Sequence, residues 1–397
     1  MSATHIALKR IARRLILLAP VLGLFIFAIE PAHAQTETVL YSFTGTPDGA
    51  TPFAGLVRDG KGNLYGTTLQ GGTISGYGTV FEVTPAGAEK VLHSFTGGTD
   101  GIGPYASLVR GKKGTLYGTT SGGGSGYGTV FAVTSSGKES VILNFDGLDG
   151  AYLSAGLIRD SEGTLFGTTP GGGLYSSGTA FELTASGTEQ VLYNFTGGGD
   201  GDCPLSTLAR DAAGNLYGTT QWGGAYGYGA VFELTASGTE QVLYSFTGGN
   251  DGAYPYAGVV RDGKGNLYGT TIQGGAYNYG TVFEVTATGV EKVLHSFGTS
   301  ADGITPEAGL VRDSKGNLYG TTYQGGAYNY GTVFKVTKKG VEQVLYSFSG
   351  GADGRYPVSN LIRDAAGNLY GTTAYGGIQD CAYGDGGGCG TVFMLTP

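Results

Sequence analysis

The sequence predicts an all-β chain folded as a seven-bladed β-propeller with four-stranded blades. Three observations predict it. A unit of 50 to 52 residues recurs seven times. Each unit holds four short runs of strand-forming residues. The last unit lacks one such run, and the N-terminus has one to spare.

The first element stands outside the repeats. Lys9, Arg10, Arg13 and Arg14 precede the apolar run "LILLAPVLGLFIFAI" (15–29), and "AHA" (32–34) offers small residues at a cleavage site. Residues 1–34 are therefore expected to be a signal peptide removed before Gln35, with an uncleaved N-terminal anchor as the alternative. No later stretch is long and apolar enough for a transmembrane helix, so no membrane span is expected after cleavage. Residues 35–397 are expected to form a single domain.

The repeat comes next. The motif V-[LI]-x-[SN]-F starts at 39, 91, 141, 191, 242, 293 and 344. The fifth unit shows the four runs: "AGVVRD" (257–262), "NLYGTT" (266–271), "GTVFEVT" (280–286) and "EKVLHSF" (291–297). Val, Thr, Tyr and Phe dominate them, and Gly or Asp bounds each one. No segment has a 3.6-residue apolar period. The chain ends on a run of the third type, "GTVFMLTP" (390–397), and opens after the leader on one of the fourth type, "TETVLYSF" (36–43). Pairing the two closes a ring and removes two exposed edges. Either long loop is a candidate for the crossing between blades.

Composition narrows the partners. Net charge is −8, and it becomes −11 once the four basic residues and Glu30 of the leader are removed. That excess argues against nucleic acid and anionic lipid. Gly accounts for 78 of 397 residues without a collagen period, and charged residues for only 14%, so neither a triple helix nor a disordered acidic tail fits. Of the three Cys, Cys381 and Cys389 are close enough to pair in an oxidising compartment, which leaves Cys203 single.

Residues present in every unit are expected to build blades. Glycines in "YGTT" and "GTVF" suit a tightly packed inner strand. One Arg per unit (Arg58, Arg110, Arg159, Arg210, Arg261, Arg312, Arg363) is expected to tie strands or neighbouring blades through carbonyls or carboxylates, with an anion-binding ring in the channel as the rival. Asp-Gly pairs at Asp48, Asp100, Asp149, Asp200, Asp251, Asp302 and Asp353 are expected to form turns, with calcium as the rival.

Function is expected where the sevenfold symmetry breaks. The second-to-third and fourth-to-first connections are the long loops, and they share one face. Tyrosine crowds them, and Trp222 is the only tryptophan. The Tyr before "GTVF" (Tyr77, Tyr127, Tyr228, Tyr279, Tyr330) is expected to plug the ring between blades. The variable Tyr175, Trp222, Tyr226, Tyr277 and Tyr328 are the ligand-binding candidates, because such rings offer flat faces with a polar edge. Unit seven has an enlarged loop, 374–389, which a Cys381–Cys389 bond would pin.

Catalysis has little support. His93 and His295 share one repeat position, and no Ser/His/Asp set or metal cluster stands apart from the repeats. Glu307 and Arg355 are unmatched in other units. No catalytic residue, metal or cofactor is assigned.

The run "GNLYGTT…QGGAYNYGTVFEVT" resembles the GloVer tandem repeat of exported bacterial proteins, over all seven units. The resemblance implies an extracytoplasmic protein and carries no catalytic residues. The expected function is an exported, non-enzymatic scaffold binding glycan or protein through its tyrosine-rich face. It is expected to be monomeric and secreted or periplasmic, with cell-surface association as a further option. A carbohydrate-active hydrolase or lyase, and a structural cell-envelope component, are the alternatives.

Overall fold

In the computed structural model, the described residues are 35–73, 76–298, 301–378, 381, 383 and 387–396. They form seven four-stranded antiparallel sheets arranged as the blades of a propeller. Among them the only helix is a 3₁₀ turn at Lys112–Gly114.

Blade 1 runs Val57–Arg58, Leu64–Thr68, Thr79–Val83 and Glu89–Ser94, and blades 2 to 6 repeat that order. Blade 7 is built from Ile362–Arg363, Leu369–Thr373 and Thr391–Thr396, and its outer strand is the N-terminal Thr36–Ser42. Thr36 pairs with Thr396 and Ser42 with Thr391, so head and tail share one sheet. The closure expected from the spare strand is present. The fourth-to-first loop makes the crossing between blades, and the second-to-third loop stays within its blade.

The innermost strands are shorter than the sequence suggests. In blade 5 only Val260–Arg261 of 257–262 is paired as strand. The residues before it bond to the neighbouring blade instead. Thr219 Oγ1 of blade 4 donates to Ala257 O at 2.9 Å. The first Thr of each "GTT" repeats this bond to the next blade, and Thr372 closes the ring by donating to Ala54 O at 3.2 Å.

"YGTT" therefore forms the second strand, not the inner one. Its glycine answers a crowding inside the blade. Gly66 pairs with Phe81, and a Cβ there would stand 2.6 Å from the Phe81 ring and 3.0 Å from Leu56. The glycine opening "GTVF" answers the next blade: Gly280 has φ +98°, and a Cβ would lie 2.7 Å from Pro306. The Pro that follows six of the seven Asp-Gly pairs thus packs on the preceding blade, and Leu153 does so in the third unit.

Most of the core lies between blades. The Phe that ends each outer strand meets the Phe of the next blade's third strand edge-on, as in Phe195–Phe232 at 5.1 Å and Phe348–Phe393 at 5.1 Å. All of these rings are fully buried. Edge-to-face pairs of buried aromatics are favourable contacts beyond their area. Fourteen phenylalanines, two per junction, make this girdle.

Five of the seven inner-strand arginines join blades through rings rather than carboxylates. Arg58 lies over Tyr370, Arg210 over Phe166, Arg261 over Tyr217, Arg312 over Tyr268 and Arg363 over Tyr319, each with its guanidinium carbon 5.3 to 5.7 Å from the ring centre. One carboxylate contact accompanies them, Arg261 to Asp211 at 3.8 Å. The Asp after the Arg folds the turn below: Asp262 Oδ1 accepts from the backbone N–H of Lys264 and Asn266. Both Asp and Arg belong to the tight-turn side, so the arginines do not line the axial pit described below.

Candidate functional site

The two long loops of each blade meet on one face through paired backbone bridges, such as Ala50–Gln70 and Arg355–Tyr375. The Asp-Gly carboxylate organises the crossing loop. Asp251 Oδ2 accepts from Thr247 N at 2.7 Å and from the Tyr244 hydroxyl at 2.9 Å, and its Oδ1 accepts from Thr247 Oγ1 at 2.6 Å. These bonds support the turn reading of the Asp. His93 and His295 stand where four other blades have that Tyr and blade 2 has Leu143, each with Nε2 3.4 Å from its Asp. Burial holds both imidazoles below the usual histidine value.

The five aromatic candidates are exposed, between 47% and 62%. The structure does not bring them together. Tyr175, Tyr226 and Tyr328 lie beside Tyr193, Tyr244 and Tyr346 on the outer strands of three different blades. Tyr277 covers Gly298 of its own blade. Trp222 is bridged to Asp202 across the two loops of blade 4. The Tyr before "GTVF" sits at the blade junctions: Tyr77 and Tyr330 pack on the core shared with the next blade, and Tyr127, Tyr228 and Tyr330 meet the next blade's Tyr152, Tyr254 and Tyr356. Tyr77, Tyr228 and Tyr330 lie over the crossing-loop glycines Gly97, Gly248 and Gly350, and Tyr127, Tyr228 and Tyr279 remain 37% to 44% exposed.

What does converge is the axis. All seven inner segments line one pit of about 80 Å³. The wall residue is different in almost every blade: Phe53, Tyr105, Ser154, Leu205, Tyr256, Glu307 and Val358. Directly below, Gly55, Ser107, Gly156, Thr207, Gly258 and Asn360 close the floor. There Gly309 N donates to Asn360 Oδ1 at 2.6 Å and Gly156 N to Thr207 Oγ1 at 3.1 Å.

The wall is aromatic and poorly solvated. Phe53 and Tyr105 stack at 5.0 Å with 18° between their planes. Tyr105 also interacts with the Tyr256 hydroxyl, and because blades 2 and 5 are not neighbours this contact spans the axis. Ser154 Oγ is buried without a partner. The Glu307 carboxyl is pushed up to about 7, and burial is the sole cause. It is the only ionisable carboxyl in the wall.

Above Glu307 the mouth is built by blades 6 and 7. Tyr323 stacks on Tyr356 at 4.6 Å. The Arg355 guanidinium is cupped by Tyr330, Tyr356 and Tyr375 at 5.5 to 6.0 Å, and its Nε is buried without a partner. Burial and then Glu307 raise the Tyr323 phenol, and Arg355 pulls it the other way, so Tyr323 stands within reach of both charges. The two unmatched charges of the sequence thus flank one aromatic mouth.

A model of the Gloeobacter/Verrucomicrobia repeat matches residues 24–212 and 203–397. The chain belongs to that repeat family. No curated protein matches it. Among solved structures it is similar to a gluconolactonase from Xanthomonas campestris, at 16% identity over 72% of this chain and 82% of that one, TM-score 0.43. It is also similar to a putative 6-phosphogluconolactonase from Bacteroides uniformis, at 15% identity over 80% and 88%, TM-score 0.48. A luciferin-regenerating enzyme matches at 13% identity over 91% and 95%, TM-score 0.45. At these values no functional argument rests on the likeness.

The described residues of this chain's enlarged unit-seven loop include contacts at the joint between blades 7 and 1. Cys381 and Cys389 form a disulfide. Cys389 O accepts from Thr51 N at 2.8 Å, the bond that Tyr228 O makes to Tyr254 N between blades 4 and 5. Tyr383 of the loop packs near Gly45 and Gly76. Cys203 sits where Tyr152, Tyr254 and Tyr356 sit in their blades, all four at φ between +57° and +63°. Burial pushes its thiol up to about 11, which leaves it a poor nucleophile.

Sequence reasoning found Glu307 and Arg355 but missed Phe53, Tyr105 and Tyr256. The available signal was positional: the residue after each crossing-loop Pro (Leu153 in blade 3) varies while its neighbours repeat.

Proposed function

We propose that the protein is an exported, non-enzymatic binding scaffold whose ligand is a glycan held at the axial mouth. The observation that carries this reading is the contrast around the axis. The frame repeats seven times, yet the wall of the pit is varied, aromatic and open to the loop face. Stacked rings with hydroxyl edges suit the apolar faces and polar rims of sugars. Tyr105, Tyr256, Tyr323 and Tyr356 form the platform. The exposed Tyr175, Trp222, Tyr226, Tyr277 and Tyr328 then extend contact outwards to a long chain, one residue per site. Export rests on the leader at 1–34, which lies outside the described residues; the protein acts outside the cytoplasm as a monomer.

A glycan array probed with residues 35–397 tests the reading. Binding that falls at least about tenfold in Tyr323→Ala, with melting unchanged, is the expected result. No glycan bound anywhere on the array would sink it. The second reading is a hydrolase or lyase, favoured by one observation: a desolvated carboxyl near 7 is a suitable general acid. Turnover of a polysaccharide pool, lost in Glu307→Ala, would replace the first reading with the second.

A further inference from the structure

The floor of the pit explains what part of a ligand can enter. Tyr105 reaches across the axis to Tyr256, and Phe53 lies flat against Tyr105. The layer below is closed by inner segments so close that a Cβ on Gly55 would come 2.7 Å from Ser107 Oγ. What remains suits one small group projecting from a larger ligand, not a whole ring.

The chemistry of that group follows from Glu307. It faces a wall of rings and hydroxyls, and no described residue supplies it with a hydrogen bond or a cation. A buried carboxylate without a counter-ion is costly. The cation nearest the mouth, Arg355, is held instead against three tyrosine rings. The faces of Phe53, Tyr105 and Tyr256 favour a cation beside them. An ammonium group would meet the carboxylate, the ring faces and the unpartnered Ser154 hydroxyl together.

Resting on the glycan reading above, we propose that the pit recognises the primary ammonium of an amino sugar, with Glu307 as its counter-ion and the mouth tyrosines under the sugar ring. Specificity then lies in the free amine. An N-acetylated unit places a bulkier neutral amide where Glu307 needs charge.

Calorimetry at pH 7 on residues 35–397 tests this with a glucosamine pentamer, its fully N-acetylated counterpart and a pentalysine peptide. The expected result is that the amine-bearing pentamer binds roughly tenfold or more tighter than the acetylated one. Glu307→Gln should remove that preference, keep weak binding of both sugars and not lower the melting temperature. Equal binding of the two sugars by the parent protein overturns the ammonium assignment and leaves the glycan reading intact. Tighter binding of pentalysine than of either sugar overturns the amino-sugar class. Binding of neither sugar fails the glycan reading itself and the inference with it.

Discussion

Two rings of seven residues circle this protein under opposite rules. At the blade junctions every third strand presents the same buried Phe, from Phe81 round to Phe393. In the pit wall the residue in the matching place is Phe, Tyr, Ser, Leu, Tyr, Glu or Val. The first ring is squeezed between two sheets, so its volume is set by both neighbours and any change is felt. The second borders a space, so its side chains are free to differ without disturbing the frame. Identity marks where the fold is made, and variation marks where a ligand can be chosen.

The largest expected effect breaks the frame at its joint. Deleting Glu37–Phe43 removes the outer strand of blade 7 and the ring that packs on Phe81. It should abolish a single cooperative melting transition in circular dichroism. An unchanged melt would mean that the ring is not closed by this strand.

Next is a single girdle ring. Phe232→Ala should lower unfolding free energy by about 3–5 kcal/mol in denaturant titration, because the cavity lies between two blades that cannot collapse on it. The interblade hydrogen bonds are worth less. Thr219→Val keeps shape but loses the donor to Ala257 O, and about 1 kcal/mol should be lost.

The perimeter adds a pH effect. Near the start of each outer strand stands a half-buried Glu beside the preceding blade's Asp, and all seven have a buried, unpartnered Oε1. Burial first, and the Asp second, push Glu37, Glu89, Glu189, Glu240, Glu291 and Glu342 up to about 7 and raise Glu139. A raised carboxyl binds its proton more tightly in the folded state. Its stabilising contribution is therefore full below about 4.5 and is lost as pH rises to about 7. His93 and His295, held below their usual value, act in the opposite sense. Glu240→Gln isolates the carboxyl: its melting temperature relative to the parent should rise between pH 5 and pH 7.5. A constant offset would show that the group does not titrate there.

The smallest loss is expected in the pit. Glu307→Gln should cost no stability at pH 7 in the same denaturant titration, and should gain some, because the neutral amide replaces a carboxyl whose charged form burial disfavours. A loss as large as that of Phe232→Ala would erase the distinction between the two rings.

Much of this contrast was legible in the chain. Period, strand chemistry and turn residues are local properties. A spare "TETVLYSF" and a missing fourth strand can be counted without knowing any contact. The pit was less legible. Tyr105 and Tyr256 are two of 27 tyrosines, and nothing local separates a ring over a loop glycine from a ring that spans the axis. Glu307 stood out because carboxylates do not otherwise occur in its column.

By itself, the sequence determined that there are seven blades, that they close and that the Asp-Gly pairs turn, because each rests on neighbouring residues or on repetition. Only the tertiary structure decided which strand is innermost, that most inner-strand arginines meet rings, and that Phe53, Tyr105, Tyr256 and Glu307 share one space. A period of two tells which side of a strand a residue faces, but not how far that strand lies from the axis. Radial position follows from how seven sheets pack around one another, and residues some 250 positions apart meet only once the circle is complete.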